Sequence, residues 1–556
     1  MKPFDIKKTT NIGRNGFDLS QRHLFNAACG QLLPIVCEET YPGDSFRLQL
    51  DSFTRLRPMF TPAFARFKEY FDVFWISRDD LWPYFNSLVV NNNEPYPMPS
   101  GGSTVPSRLP NVSVVDLASA IDTAAQPIPQ YDDMGMAFRA GADTLFDMFR
   151  FGQYSDYVRV GQPSNTNDIR VNLLKPAMYQ RIYADFYRNP QWERRDVDSY
   201  NLAKYYGSSV DIESASDVAD AGLMFKMRYA NWHKDYFMGL YPTQQFGDVS
   251  VISSGPATPT RKPSSAAGVY VNSTGTLYAT GANPLDIMSD FSIIDLRRAQ
   301  AVQRWKEVTM TNGSSMYQQV KAHFGFELPE GRKGAPQFLG SWDNVVTIQD
   351  VTSTSPDISE GSQSRLGDLA GKGSAASDPS KVISFDSKDF GMFMVIYHCE
   401  PYLDYANVGV KKDNLKLEAG DFFQPEFDRI GFGRVNLYEL MYFPENVDNS
   451  LTLGYSSQYL DLKTSFDIVH GSYTLDSGDS AAWSIKLKRS YWENYFRAAA
   501  ATGIDYRFFK IPSSITNDIF RLQIDSSNVE NRAPFQVCPN FRILKSSNMS
   551  VDSLPM

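Results

Sequence analysis

The sequence predicts a mainly β protein, an antiparallel sandwich with long loop insertions that contain short helices, and three observations carry that expectation. In PGDSFRLQLDSFTR, from Pro42 to Arg55, Phe46, Leu48 and Leu50 alternate with Arg47, Gln49 and Asp51, which puts the apolar side chains on one face of a strand. Further strand-like runs follow in FGMFMVIYHC (Phe390 to Cys399), in SLTLGYSSQYLDL from Ser450, and in the later segments FFKIP and FRLQI. Their spacing is irregular and no internal repeat is present, which argues against a propeller or a solenoid.

Taken in order, Pro42-Gly43-Asp44 is the turn that launches the first clear strand. The next segment, PAFARFKEYF, places Phe64, Phe67 and Phe71 at helical spacing behind the proline-rich entry PMFTP and predicts a short helix. Ser77 to Asp80 has the form of a capping box, with Pro83 delaying or kinking the helix that follows. From Val89 to Tyr131 the chain turns to Asn, Pro, Ser and Gly and reads as a long surface insertion. KPAMYQRIYADFYRNPQW, Lys175 to Trp192, predicts a helix that ends near Asn189-Pro190. Two more Ser/Gly/Pro-rich insertions run from Gly247 to Pro284 and from Ser353 to Pro379. None of the three carries the charge run or repeat of a tether, so residues 1–556 are expected to form one domain with three excursions. In DLRRAQAVQRWKEV, Leu296, Ala299, Val302, Trp305 and Val308 recur every three residues, and Met316 to Phe324 forms a second helix stopped by Gly325.

Composition narrows the function classes. The chain has 556 residues, 42% hydrophobic and 21% charged, enough to bury a core. Its 54 basic against 63 acidic residues give a net charge of −9, which argues against a freestanding nucleic-acid-binding domain or a basic membrane-surface binder. Aromatic residues are abundant, with 38 Phe, 30 Tyr and 8 Trp, and suit both β strands and protein interfaces. Four cysteines without metal-ligand spacing fit a reducing compartment. MKPFDIKKTTN lacks the apolar stretch of a signal peptide, and the run Met392 to Tyr397 is too short to span a bilayer, so no stable membrane insertion is expected.

The residues offer little catalytic chemistry. Gly367-Asp-Leu-Ala-Gly371-Lys372-Gly373 is one residue short of a phosphate-binding loop and lacks the following Ser or Thr. The five histidines, His23, His233, His323, His398 and His470, have no helical i, i+4 partner. His398-Cys399 is a sequence neighbour pair, and adjacency alone does not make a nucleophile and base. Glu193, Asp196 and Asp198 beside Trp192 have the residue types of a glycosidase, but read more simply as a solvated loop around Arg194 and Arg195. No enzyme activity, metal site or cofactor is expected. The alternative from another class is a carbohydrate-binding or carbohydrate-active β sandwich, with aromatics as sugar platforms.

An ordered series of motifs resembles the major capsid proteins of the Microviridae, icosahedral bacteriophages with single-stranded DNA, particularly the gokushovirus-like branch. The series begins with GQLLPIVCEETYPGDSFRLQLDSFTRLRPMFTPAF (Gly30 to Phe64) and FDVFWISRDDLWPYF. It continues through RYANWHKDYFMGLYPTQQFGD (Arg228 to Asp248), IIDLRRAQAVQRWKE and MYQQVKAHFGFELPEGR. It closes with DFFQPEFDRIGFGRV and with YLDLKTSFDIVHGSY followed by Trp483. The resemblance implies a single eight-stranded jelly roll, self-assembly of ~60 copies into a T = 1 shell through fivefold and threefold contacts, and a circular single-stranded DNA genome inside.

It also implies a small basic DNA-binding protein, minor pilot or internal scaffold proteins, a host surface receptor, assembly in the bacterial cytoplasm and residence in the virion. By the same resemblance the insertion 247–284 is a threefold protrusion, and Ser253, Thr258, Tyr270 and Tyr278 are candidate host contacts. The N-terminal arm carries Lys2, Lys7, Lys8, Arg14 and Arg22 against Asp5 and Asp18, and Lys2, Lys7, Lys8 and Arg14 are candidate inner-surface DNA contacts.

Overall fold

The computed structural model describes residues 13–90, 96–97, 103–104, 108–122, 138–157, 169–245, 269–271, 277–279, 293–313, 315–328, 334–352, 369–406, 409–428, 430–445, 447–476, 482–516, 519–520 and 533–551. An eleven-stranded sheet dominates it, built from β1 (Asn15–Asp18), β2 (Gln21–Arg22), β3 (Phe25–Ala27), β4 (Leu33–Thr40), β5 (Ser45–Leu56), β6 (Phe67–Ser77), β7 (Gln337–Thr352), β8 (Leu369–Ala376), β9 (Val382–Asp386), β10 (Gly391–Pro401) and β11 (Phe535–Ser547). The hydrogen-bonded order is β1-β11-β5-β8-β7-β6-β10-β4, with β9 also on β5 and β2 and β3 on β11. Every pairing is antiparallel.

The sheet is curled, and β7 makes the bend. Its residues 347–352 pair with β8, while 337–346 pair with β6, so one strand serves both arms. Across the interior Phe67 meets Phe535 at 5.3 Å, Phe46 meets Phe393 at 5.2 Å and Phe25 meets Tyr397 at 5.2 Å. Edge-to-face contacts of this kind hold the two arms together beyond simple burial. One carboxyl lies among them: Glu69 is fully buried and accepts from Thr54 Oγ1 at 2.8 Å, Asn344 Nδ2 at 2.8 Å and Tyr397 OH at 3.3 Å. Burial raises its pKa, against the pull of those three donors.

The alternation from Phe46 to Asp51 is realised as β5, with Phe46, Leu48 and Leu50 buried. The expected helix over Phe64 to Phe71 is not there: Phe67 to Ser77 is β6. Phe67 and Phe71 lie four apart, which satisfies period two as well as period 3.6, and Glu69 and Val73 complete the inward row. Ser77 does cap a helix, accepting from Asp79 N at 3.3 Å, but the helix is only Arg78–Leu81 and stops before Pro83.

The insertions contain packed structure where they are described. Within 89–131, helix α1 (Val114–Asp122) buries Val114, Leu117, Ala118 and Ile121, at a spacing hidden by the polar residues before it. Helices α2 (Phe138–Met148) and α3 (Leu174–Ile182) pack nearby, and α3 continues through one π turn to Tyr187, just short of Asn189-Pro190. The third insertion holds β8. An added Cβ at Gly373 would stand 2.3 Å from Leu56 Cδ1, so the glycines of the phosphate-loop-like fragment allow close packing of strands. Phe508 and Phe509 of FFKIP end a 3-10 turn, Tyr506–Phe509, and Lys510 makes an isolated bridge with Asn231 rather than a strand, while FRLQI lies, after Phe520, outside the described residues.

The chain divides into two compact units, residues 1–242 with 329–556, and residues 243–328. The smaller unit contains α4 (Ile293–Thr311) and α5 (Met316–Phe324), both as expected from sequence. Gly325 ends α5 at φ +68°, the left-handed conformation glycine adopts without a Cβ penalty. A hairpin in the same unit pairs Val269–Val271 with Leu277–Ala279 and sets Tyr270 opposite Tyr278.

Candidate assembly surfaces and buried polar centres

One buried ionic site lies on β6 and β10, on the face turned away from the Glu69 row. His398 Nε2 sits 3.0 Å from Asp72 Oδ2, the same oxygen that accepts from Tyr187 OH, and the imidazole stacks on Tyr70 at 4.9 Å. Its Nδ1 lies 3.3 Å from Glu400 Oε1. Burial alone pushes the imidazole pKa down. The bonds and charges of Asp72 and Glu400 outweigh it and raise the value to about 9. His398 is therefore a cation at neutral pH. Cys399 faces the opposite side of the strand, toward Cys29 in the core, so the pair does not form a nucleophile and its base.

A second centre corrects the solvated-loop reading of Glu193. Its carboxylate is buried, accepts from Tyr183 OH at 2.6 Å and lies 3.3 Å from Lys510 Nζ, which donates to the Tyr183 hydroxyl at 2.7 Å. Arg195 turns to Asp185, and Arg228 reaches Asp196 at 3.1 Å. These carboxylates hold chain segments together through their pairings with Arg195, Arg228 and Lys510. Among the described residues no group of three or more His, Cys, Asp or Glu side chains is placed to hold a metal ion. No described helix is long and apolar enough to cross a membrane.

The surface is more informative. Residues 417–427 are all exposed, and this acidic tongue displays Phe422, Phe423 and Phe427, with Leu417 at 86% and Ile430 at 70% exposure. Its backbone is nevertheless pinned. Asp421 Oδ2 accepts from Leu417 N and Glu418 N at 2.9 Å, bonds that hold its carboxyl below the usual range. Tyr459 OH donates to Phe422 O and accepts from Gln424 N, and Lys463 meets Asp428 at 2.6 Å. Tyr459 itself adopts φ +59°, a left-handed conformation costing a non-glycine residue about 1–2 kcal/mol. The backbone is tied down while apolar and acidic side chains alike are exposed, which sets large apolar groups in water beside carboxylates.

The second exposed surface is the outer face of β11 and β5. Arg47, Asp51, Phe53 and Arg55 on β5 and Gln536, Asn540, Arg542 and Leu544 on β11 are all exposed. Arg22 extends the row through its register with Asn540. Arg14 lies at one end, donating to Ser45 Oγ at 2.8 Å and to Ser546 Oγ at 3.3 Å. Of the other candidate DNA contacts, Lys2, Lys7 and Lys8 lie outside the described residues, as do the candidate host contacts Ser253 and Thr258. Tyr270 and Tyr278 share a hairpin, and these two positions are not brought together with Arg14 by any described pairing. Sequence reasoning missed the tongue because DFFQPEF has the composition of a buried segment.

Known proteins point the same way as these surfaces. A family model described as "Capsid protein (F protein)" matches residues 6–484. The chain is 22% identical over 528 residues to capsid protein VP1 of Chlamydia phage 1, covering 85% of this chain and 87% of the relative. It is 19% identical over 499 residues to capsid protein VP1 of Spiroplasma virus 4, covering 83% and 82%, and 22% identical over 480 residues to that of Bdellovibrio phage phiMH2K, covering 81% and 80%. With a family match over most of its length, a curled antiparallel β framework and a rigid apolar surface, this chain belongs to the phage capsid protein (F protein) family, a component of the virion.

Proposed function

We propose that the chain is the major capsid protein of a T = 1 shell, in which ~60 copies of one jelly roll enclose a circular single-stranded DNA genome. The observation that carries this reading is the family match over residues 6–484 on a chain whose framework is one curled antiparallel sheet. Sedimentation and electron microscopy of the expressed protein test it: closed shells are expected, and a monomer or dimer that never assembles overturns it.

The net charge makes a basic partner necessary in this reading. At −9 per chain, ~60 copies carry roughly −540, the same sign as DNA, so bulk charge opposes packaging. A small basic DNA-binding protein supplies the counter-charge, aided by Lys2, Lys7, Lys8 and Arg14 at the inner surface. Replacing these four with Gln is expected to lower the DNA-to-protein ratio of particles; an unchanged ratio eliminates the arm. Loop 247–284 serves host attachment through a receptor. Deleting Ser253 to Ala279 is expected to spare assembly and impair adsorption, whereas loss of particles refutes that division.

A further inference from the structure

We infer that the acidic tongue, residues 417–428, docks head to tail on the open face of β5 and β11 of a second copy of this chain; the inference rests on the proposed self-assembly and names its contact. Two exposed surfaces match each other in charge and apolar character. The tongue presents Leu417, Phe422, Phe423 and Phe427 with Glu418 and Glu426, and its described residues 417–428 contain four carboxylates and no cation. Such a patch, held rigid by Tyr459 and Lys463, loses little conformational freedom on binding.

The sheet face is its chemical complement. At the end away from Arg14 it carries Leu24 at 76% exposure and Phe53 at 45%, with the Arg55 guanidinium 5.1 Å over the Phe53 ring. Around them Arg22, Arg47, Arg55 and Arg542 stand against two carboxylates, Asp51 and Asp18, in the rows that register places side by side, with Asp18 toward the Arg14 end beside Arg542. Arginine and aromatic residues are the side chains most enriched at protein interfaces, and an acidic rim seats itself on such a face by charge. Both surfaces are exposed within the larger unit, so one copy offers the tongue and the next the face. A contact between two different patches of the same chain propagates from copy to copy and closes into a ring where its rotation is a whole fraction of a turn, as a shell demands, whereas a self-complementary patch stops at a dimer.

Charge reversal in full-length protein tests the pairing. E418K/E426K and R22E/R55E are each expected to lower the yield of closed particles at least about tenfold, through like-charge juxtaposition. Combining the four substitutions is expected to restore the yield to within about threefold. Near-ultraviolet circular dichroism and thermal melting of the unassembled chains establish that each variant folds. The inference is overturned if folded variants assemble normally, or if the combination does not recover while wild type forms shells. It is also overturned if R22E/R55E forms normal particles with a lower ratio of absorbance at 260 to 280 nm, which assigns the face to nucleic acid. Absence of shells from wild type itself overturns instead the proposed function.

Discussion

Replacing His398 with glutamine removes a buried charge while keeping a donor toward Asp72, and its cost depends on pH. In the folded protein the imidazole pKa is raised from 6.5 to about 9. At about 1.4 kcal/mol per unit that difference amounts to roughly 3 kcal/mol. Because the folded value is the higher one, the stabilisation is fully present below pH 6.5 and is lost as pH rises from 6.5 through 9. Asp72, whose pKa is lowered by the same contact despite its burial, keeps the pair intact toward mild acid. Thermal melts of the unassembled wild type and H398Q, compared at about pH 6 and about pH 10, isolate the term from other titrating groups. With an unfolding entropy of roughly 2 cal/mol/K per residue, 3 kcal/mol corresponds to about 3 °C. Wild type is expected to lose that advantage at the alkaline end. A Tm difference that stays constant across the range refutes the assignment of a buried imidazolium.

Two further outcomes follow from packing and pairing. Lys510→Met leaves the Glu193 carboxylate buried without its ion-pair partner and is expected to cost about 3–5 kcal/mol, with much of it recovered in K510M/E193Q; urea titration compares them, and equal stability of K510M and the double variant refutes the pairing. Gly409→Ala sets a Cβ 2.4 Å from Glu439 O, a backbone atom that cannot rotate away, and is expected to cost at least about 1–3 kcal/mol and lower the yield of folded chain, as read by soluble expression and melting.

How much of this was legible in the sequence depended on whether the decisive contact was local. The alternation from Phe46 to Asp51 and the stop of α5 at Gly325 depend on neighbours in sequence, and both were readable. Phe67 and Phe71 were misread because a spacing of four serves strand and helix alike, and only the opposing Phe535 and Phe541 decide which. The His398 centre was invisible for another reason: Asp72 and Tyr187 reach it from distant segments. The tongue failed in the opposite sense, since Phe422, Phe423 and Phe427 have the composition of a core and only exposure shows otherwise.

The pairing of β5 with β11 sets a clock on synthesis. Leu56 has its partner in Phe535 and Ser45 in Ser546, so the most interior strand of one arm waits for nearly the whole chain to be translated. At roughly 5–20 residues per second that interval is about 25 to 95 seconds. Until then β5 offers unsatisfied amides and carbonyls to any strand it meets, the situation in which a nascent chain calls on chaperones. The delay also acts as quality control: a chain broken off before residue 535 has no finished face to offer a neighbour, so fragments cannot enter a growing shell through it and poison its closure.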